Sequence, residues 1–187
     1  IVSIIDFGED AELGAFMVME LLDGESLSAR LKKGPLPLKF ACETLLDVAG
    51  ALHYIHQKKI VHCDIKADNI LLCQLPDASR PRRQIKLLDF GLARFGSDST
   101  RRAEKVDGTP EYMSPERIRG QEPHPSMDIY GLGVLAYELV SGQLPFRGAM
   151  NDVLHAHVRK MPAWPSVTLG EPLDERVEQL IMRALAK

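Results

Sequence analysis

The stretch HCDIKADN, residues 62–69, places a carboxylate, an amine and an amide on one short loop. It follows a segment from Phe40 to Gln57 in which apolar residues recur every third or fourth position, the pattern of a helix with one face in a core. Apolar runs at residues 69–72 and 84–88 then predict two short paired strands joined by a solvated loop. The polar loop is therefore expected between a core helix and a small hairpin.

Three side chains of this loop, Asp64, Lys66 and Asn69, are of the types that phosphoryl transfer requires. That reaction needs a carboxylate to orient the attacking hydroxyl, a cation to offset the charge of the phosphoryl group, and oxygen ligands for Mg²⁺. A D-F-G triplet, residues 89–91, ends the second predicted strand and places another carboxylate across the hairpin from Asn69. Mg²⁺ accepts such sparse protein ligation, because phosphates and water fill its other positions.

A second hairpin is predicted at the start of the chain. Apolar runs at residues 1–5 and 15–19 flank a polar turn from Gly8 to Gly14. Two strands alone are marginally stable, so these strands need further partners. Much later, residues 92–125 show no sustained period, and so long a connection inside a compact domain indicates a functional or mobile segment.

The rest of the chain is predicted to be helical. Met127–Val140 is apolar on nearly all sides and precedes Ser141-Gly142, as in a central buried helix followed by a glycine. Helical periodicity also covers residues 151–159 and 174–186. The elements therefore alternate between small hairpins and longer helices.

Composition excludes several classes of protein. The 187 residues are 45% hydrophobic, enough for one substantial core. A net charge of -3 indicates neither a nucleic-acid-binding polycation nor an acidic tail, so we expect no nucleic-acid partner. Cys42, Cys63 and Cys73 form no C-x-x-C pair, which favours the reducing cytoplasm. No apolar run approaches the ~20 residues that span a bilayer, so no membrane contact by this segment is expected.

The motifs resemble those of the eukaryotic-type serine/threonine protein kinase family. Its catalytic loop, H-R-D-L-x-x-x-x-N, and its metal-binding D-F-G are similar to residues 62–69 and 89–91. GTPEYMSPE, residues 108–116, resembles the end of the family's activation loop, and DIYGLG, residues 128–133, resembles the start of its central helix. The loop sequence is most similar to that of bacterial members.

The resemblance implies an α+β, protein-kinase-like fold. Residues 1–22 would be the last strands of the small lobe and the hinge, a remnant β-hairpin. Residues 23–187 would be a mainly α-helical large lobe with a small catalytic-loop hairpin and an activation segment at residues 89–116.

The resemblance also implies roles for the catalytic residues. Asp64 would be the catalytic base, Lys66 would neutralise the transferring γ-phosphate, and Thr109 would bridge the two. Asn69 and Asp89 would hold Mg²⁺ or Mn²⁺. Lysine together with threonine at these positions favours a protein substrate with Ser or Thr rather than Tyr.

ATP would occupy a pocket whose residues are implied by the same comparison. Met19 would be the gatekeeper beside adenine, backbone groups of Glu20 and Leu22 would bond the base, and Leu71 would form the floor. Asp89 would face the phosphates through the metal. Asp128 would bond the backbone of the loop 62–69, and His62 and Phe90 would stack in the family's regulatory spine.

Three departures from the family pattern carry expectations. Cys63 replaces the arginine that pairs with an activation-loop phosphate, so we hypothesise that activation does not require a phosphate beside Asp64, although Ser97, Ser99, Thr100 and Thr109 remain candidates for modification. No glycine-rich loop and no strand lysine with its helix glutamate precede Ile1, so we expect a partial domain, truncated at both ends, that is impaired when isolated. The arginine that would pair with Glu116 is also missing, and an unpaired buried charge is destabilising.

Alternative interpretations remain. A pseudokinase, a binding or scaffolding module, would keep this fold without turnover, but it would be expected to lose one of Asp64, Lys66, Asn69 and Asp89. A kinase of small molecules fits poorly with the segment 108–116.

Local alternatives also remain. Asp64 and Asp89 have the residue type of ordinary turn carboxylates. His53 and His56 have the spacing of a metal pair but no third ligand nearby, and His155 and His157 point to different helix faces. Five arginines are read as solvated loop charges, with a patch for acidic partners as the alternative: Arg80, Arg82, Arg83, Arg101 and Arg102.

Overall fold

The structure, a computed structural model, describes residues 1–10, 12, 14–34, 36–74, 83–89, 94–95 and 108–187. Two single 3₁₀ turns, Ala67–Asn69 and Pro110–Tyr112, accompany the regular elements. In chain order, these elements are β1 (Ile4–Asp10), β2 (Gly14–Met19), β3 (Gly24–Ser26), α1 (Leu27–Leu31), α2 (Leu38–Gln57), β4 (Ile60–Val61), β5 (Ile70–Gln74), β6 (Arg83–Leu87), β7 (Arg94–Phe95), α3 (Pro115–Ile118), α4 (Pro125–Ser141), α5 (Met150–Arg159), α6 (Pro165–Leu169) and α7 (Glu175–Ala184).

The core is built around α4, as its nearly continuous apolar sequence predicts. Val134 and Leu135 at its centre are completely buried, and α4 packs against both α2 and α7. A Cβ atom placed on Gly133 would stand 2.8 Å from the Cβ of Ala184, so this glycine permits the close approach of α7. The helix ends at Gly142, whose φ of 70° is the left-handed conformation that glycine tolerates. The predicted central helix is confirmed.

The long helix α2 lies against this core through one face. Its successive buried positions are spaced by three or four residues, the period expected of a helix with a single apolar stripe. They are Ala41, Thr44, Val48, Leu52 and Ile55. The prediction of a core-facing helix over 40–57 is confirmed, with its start two residues earlier.

The predicted catalytic hairpin is confirmed as the antiparallel pair β5–β6, with Leu72 opposite Ile85. Sequence analysis missed the third strand of this sheet, β3, which pairs with β5 on its other side. A Cβ on Gly24 would stand only 2.4 Å from the backbone oxygen of Leu72, so glycine is needed for this pairing.

The N-terminal hairpin exists, but its predicted boundaries are wrong. The strands pair from Ile4 opposite Met19 to Asp10 opposite Gly14, so Gly8 lies inside β1 and not in the turn. The ring of Phe16 lies over Gly8, 2.7 Å from where a Cβ would stand, and takes the space that a side chain would use. A glycine inside a strand was therefore misread as a turn residue.

Several elements had no sustained period in the sequence and were not predicted. They are the short segments β4, β7, α1, α3 and α6, each of five residues or fewer. No helix within the described ranges combines the length and apolarity needed to cross a bilayer. Some predictions concern residues outside the described ranges: those for Phe90, Gly91, Ser97, Ser99, Thr100, Arg80, Arg82, Arg101 and Arg102.

Candidate active site

The polar loop is fixed by a single buried carboxylate at the start of α4. Asp128, 1% exposed, accepts hydrogen bonds from the backbone N–H of His62 at Oδ2 and of Cys63 at Oδ1, both at 2.8 Å. Nε2 of His56 also lies 2.8 Å from Oδ2 of Asp128. Cys63 has a φ of 66°, an unusual value for a residue with a side chain. The two bonds from Asp128 hold the loop in this conformation just before Asp64.

His62 joins the loop to the β5–β6 hairpin. Its ring is fully buried; Nε2 lies 3.0 Å from the backbone oxygen of Leu88, and Nδ1 accepts from the backbone N–H of Asp64 at 3.3 Å. Burial is the main cause that lowers the pKa of His62, so the ring is held in its neutral form. Because a carbonyl only accepts, Nε2 carries the proton.

Asp64, Lys66 and Thr109 form a connected cluster. Nζ of Lys66 lies 2.7 Å from Oδ2 of Asp64 and donates to Oγ1 of Thr109 at 2.8 Å. Asp64 is 7% exposed, so its carboxylate is largely desolvated and paired with the lysine. Thr109 comes from a distant part of the sequence, immediately before the turn Pro110–Tyr112. The structure thus brings together three residues that the sequence singled out.

Asn69 lies against the same carboxylate. Its amide nitrogen donates to Oδ2 of Asp64 at 2.9 Å and to the backbone oxygen of Asp64 at 2.8 Å. These bonds close the loop on itself and leave the amide oxygen as the chemically suitable atom for a cation. Asn69 and Asp89 also line one cleft, where Asp89 has a φ of 57°.

This cleft, of about 490 Å³, lies between the N-terminal hairpin and the catalytic hairpin. Its size and mainly apolar lining are those of a small-molecule site with a few polar groups at one end. Among the residues that the sequence singled out, Met19, Glu20, Leu22, Leu71, Asn69 and Asp89 line it. Sequence analysis missed four further lining residues: Val2, Ile4, Met17 and Leu88. Of these four, only Leu88 could have been predicted from the sequence, because it directly precedes Asp89.

A polar contact that the sequence did not reveal anchors the segment around Glu20. Oε1 of Glu20 lies 2.7 Å from Nζ of Lys86 on β6 and accepts from the backbone N–H of Ser3 at 2.7 Å. The hydrogen bond from Lys86 is the main cause that lowers the pKa of Glu20. The backbone N–H of Glu20 donates to the oxygen of Ser3 at 3.1 Å. The wall of the cleft is therefore tied to the catalytic hairpin.

The segment after Thr109 packs on the loop 62–69 and on α4. The hydroxyl of Tyr112 donates to Glu138, and burial is the main cause that raises the pKa of both groups. The guanidinium of Arg117 donates to the backbone oxygen of Cys63. Together, these contacts hold the segment beside Asp64, where a small cavity is lined by Cys63, Asp64, Thr109, Tyr112, Met113 and Arg117.

Oε2 of Glu116, an atom of a half-buried side chain, is the one buried side-chain nitrogen or oxygen without a hydrogen-bond partner among the described residues. The histidine pairs have other uses. His53 lies 2.9 Å from the side chain of Gln57, and His155 is exposed whereas His157 is buried, as their opposite faces predict. Within the described residues, no group of three or more His, Cys, Asp or Glu side chains is placed to hold a metal.

The sequence matches the protein kinase domain family over residues 1–187, and the chain belongs to this family. It is 39% identical over 194 residues to the serine/threonine-protein kinase pkn2 of Myxococcus xanthus, covering all of this chain and 23% of that protein.

Two mycobacterial relatives are also similar over the whole chain. The chain is 36% identical over 195 residues to the serine/threonine-protein kinase PknB of Mycobacterium leprae. It is also 36% identical over 194 residues to the serine/threonine-protein kinase PknA of Mycobacterium tuberculosis. The chain spans 30% of the length of the first and 42% of the second. These matches confirm the predicted resemblance to the eukaryotic-type serine/threonine kinases found in bacteria.

Proposed function

We propose that the protein is a serine/threonine kinase that transfers the γ-phosphate of Mg²⁺·ATP to Ser or Thr hydroxyls of protein substrates. The observation that carries the proposal is the cluster of Asp64, Lys66, Asn69 and Thr109, connected at 2.7–2.9 Å beside the 490 Å³ cleft. It provides, in one place, the carboxylate, the cation and the amide oxygen that phosphoryl transfer requires.

Asp64 acts as the base that accepts a hydrogen bond from the substrate hydroxyl and orients it for attack. Its own geometry is fixed by the amide of Asn69 and by Nζ of Lys66. Lys66 offsets the negative charge that spreads over the transferring phosphoryl group. The hydroxyl of Thr109 holds the lysine ammonium in place, so the amine remains beside the carboxylate when substrate enters.

The adenine of ATP lies in the apolar part of the cleft, between Met19 and Leu71, with backbone groups of Glu20 and Leu22 as its polar partners. The contact of Lys86 with Glu20 supports this assignment, because it limits the movement of the backbone at the wall of the cleft. Asn69 and Asp89 would hold Mg²⁺ at the polar end. A bound metal there would supply positive charge against the phosphates of ATP.

Residues 1–22 are proposed to belong to the hinge and small lobe, and residues 23–187 to the large lobe. The chain spans 23–42% of the length of these three relatives, so the activity is proposed for the full-length protein. Free cysteines and ATP as substrate favour the cytoplasm as the site of action. No nucleic acid is proposed as a partner.

The test is transfer of labelled γ-phosphate from Mg²⁺·ATP by the full-length protein to generic substrates that contain Ser and Thr, or only Tyr. Asp64→Asn removes the base, and we expect a loss of kcat on the order of 10³-fold or more. Asp47→Asn, the same change at an exposed position of α2, is the matched control and should retain full activity. Phosphate on Ser and Thr, and none on Tyr, is the expected product.

A folded, ATP-binding full-length protein that transfers no phosphate would instead identify a pseudokinase. Equal activity of Asp64→Asn and the unmodified protein would show that the base has been assigned wrongly. Transfer to Tyr alone would support kinase activity but would overturn the proposed preference for Ser and Thr.

A further inference from the structure

His157 on α5 is a buried titratable group that the proposed mechanism does not use. Its side chain is completely buried, yet both ring nitrogens have polar partners. Nδ1 lies 2.8 Å from the hydroxyl of Tyr130, and Nε2 lies 3.0 Å from the backbone oxygen of Glu111. A buried histidine with a hydrogen bond to each of two other elements fixes their positions relative to its own helix, in addition to packing in the core.

The hydrogen-bond directions at His157 follow from its partners. The Glu111 oxygen is a carbonyl and only accepts, so Nε2 carries the ring proton. Nδ1 is then an acceptor, and the Tyr130 hydroxyl donates to it. Nζ of Lys187 donates to the Tyr130 oxygen at 2.7 Å, which fits a hydroxyl whose own proton points to His157. The ring is therefore neutral with one fixed tautomer.

The plane of the ring is fixed as well. Phe146 meets it edge-on, with centroids 4.9 Å apart and an interplanar angle of 81°, and Tyr130 does so at 5.6 Å and 67°. Burial is the main cause that lowers the pKa of His157 to about 4, so the neutral form predominates at physiological pH. Nε2–H is consequently aimed at Glu111 in one orientation.

The bonded carbonyl lies in the turn Pro110–Tyr112, directly after Thr109. Thr109 bonds Lys66, and Tyr112 bonds Glu138, so both ends of the turn contact other parts of the site. His157 supplies a bond to the middle of the turn from α5. Because Asp64, Thr109 and Tyr112 line the same small cavity, this turn borders the place where a substrate hydroxyl must approach.

We propose that His157 is a positioning residue that fixes the Pro110–Tyr112 turn for binding of the protein substrate. The inference rests on the proposed kinase function and extends it to a residue that does not itself touch the reacting atoms. Loss of the Nε2–H bond loosens the turn and weakens substrate binding. The nucleotide cleft is lined by other residues and keeps its affinity for ATP.

Two substitutions separate the two ring nitrogens. In His157→Gln, the amide nitrogen of the side chain can reach the position of Nε2 and still donate to Glu111. In His157→Asn, the shorter side chain reaches only as far as Nδ1, so the contact with Glu111 is lost. His155→Asn, the same change at an exposed position of the same helix, is the matched control.

The measurement is steady-state transfer by the full-length protein to a Ser/Thr peptide, with KM for peptide, KM for ATP and kcat determined separately. For His157→Asn, we expect KM for peptide to rise about tenfold, the effect of one lost hydrogen bond, with KM for ATP unchanged. His157→Gln should restore KM for peptide to within about twofold of the unmodified value, and His155→Asn should change none of the three.

Equal KM for peptide in the Gln and Asn variants, or a parallel rise in KM for ATP, would overturn the proposal. The proposal would also be overturned if only kcat fell, in proportion to the folded fraction measured by circular dichroism. That result is expected if His157 only stabilises the fold. Peptide affinity is also measured by fluorescence anisotropy in an Asp64→Asn background without ATP, so that no turnover occurs during the measurement. If the unmodified protein shows no turnover, the proposed kinase function fails. The proposal for His157 is tested separately by the affinity for peptide. A lower affinity in the His157→Asn variant than with the unmodified side chain at this position would support it, and an equal affinity would overturn it.

Discussion

The amide nitrogen of Asn69 lies 2.9 Å from Oδ2 of Asp64, and the same nitrogen lies 2.8 Å from the backbone oxygen of Asp64. One side chain thus holds the carboxylate through its nitrogen while its oxygen has the chemistry of a Mg²⁺ ligand. The position of the proposed base and the position of the proposed metal are coupled through a single amide group. An alteration of Asn69 therefore affects both.

Replacing Asn69 by alanine is expected to weaken metal binding and catalysis together. The half-saturating concentration of Mg²⁺ should rise about 10- to 100-fold, the range for loss of an important group at a metal site, and kcat should fall as Asp64 loses its two bonds to the amide. Rates of γ-phosphate transfer at saturating ATP, measured across a Mg²⁺ titration, give both quantities. Asn151→Ala, at an exposed position of α5, is the control. An unchanged Mg²⁺ requirement in Asn69→Ala would remove the residue from the metal site.

The hydroxyl of Thr109 is expected to contribute to catalysis through Lys66. Thr109→Val keeps the shape and removes the 2.8 Å bond to Nζ, so the ammonium is less firmly held beside Asp64. A loss of about 1–1.5 kcal/mol corresponds to a fall in kcat of about tenfold. Thr109→Ser retains the hydroxyl and should stay within a few-fold of the unmodified rate. If Val and Ser reduce kcat equally, the methyl group and not the hydroxyl matters.

The sequence predicted the elements whose residues carry a long, regular period. The helices α2 and α4 were predicted correctly because their apolar residues continue over several turns. Burial of these residues in the core then determines the position of each helix. Segments such as β3 and α6 are too short to show a period, and they exist because of tertiary contacts. The residues 24–26 of β3, for example, form a strand because β5 offers an edge and Gly24 permits close approach.

The same limit applied to the candidate site. Asp64, Lys66, Asn69 and Asp89 stand in motifs, so sequence alone pointed to them, and the structure brings the first three into direct contact. The contact between Lys86 and Glu20 joins residues 66 positions apart without a motif, and only the folded chain reveals it. His157 was noticed in the sequence only as a partner of His155, because its contacts with Tyr130 and Glu111 depend on three separate elements.

Packing between α4 and α7 gives a prediction about stability with an internal control. Gly133→Ala forces a methyl group to within 2.8 Å of the Cβ of Ala184, and both helix backbones must shift. The free energy of unfolding should fall by about 1–3 kcal/mol, the usual cost of overpacking. Gly50→Ala, on the exposed face of α2 with no atom within 4 Å, should instead raise it by roughly 0.5–1 kcal/mol, because alanine has the higher helix propensity.

Urea unfolding of the two glycine variants and the unmodified chain, followed by circular dichroism, measures these differences. The comparison corrects for the general effect of changing glycine to alanine in a helix. A stabilised Gly133→Ala would show that α4 and α7 can separate at no cost.

The burial of His157 predicts that stability depends on pH in a defined window. Its pKa is lowered from 6.5 to about 4 in the folded chain, so between these values the unfolded chain binds more protons. The contribution of His157 to the free energy of unfolding should therefore fall as the pH decreases from 7 toward 4 and rise in the opposite direction. The raised pKa of Glu138 contributes with the opposite sign. By linkage, the contribution of His157 to the fall between pH 7 and pH 5 is at most about 2 kcal/mol.

The pKa of His62 is also lowered by burial and contributes in the same direction, so the decisive quantity is the difference between two chains. His157→Gln removes one of the two histidines whose pKa burial lowers and should make the decrease between pH 7 and pH 5 shallower, whereas His155→Gln, at an exposed position, should leave it unchanged. Urea unfolding at both pH values measures the effect. If His157→Gln and the unmodified chain lose the same stability between pH 7 and pH 5, the ring of His157 must take up a proton in the folded state. The hydroxyl of Tyr130 could then no longer donate to Nδ1 at the lower pH, whereas Nε2–H would still donate to Glu111.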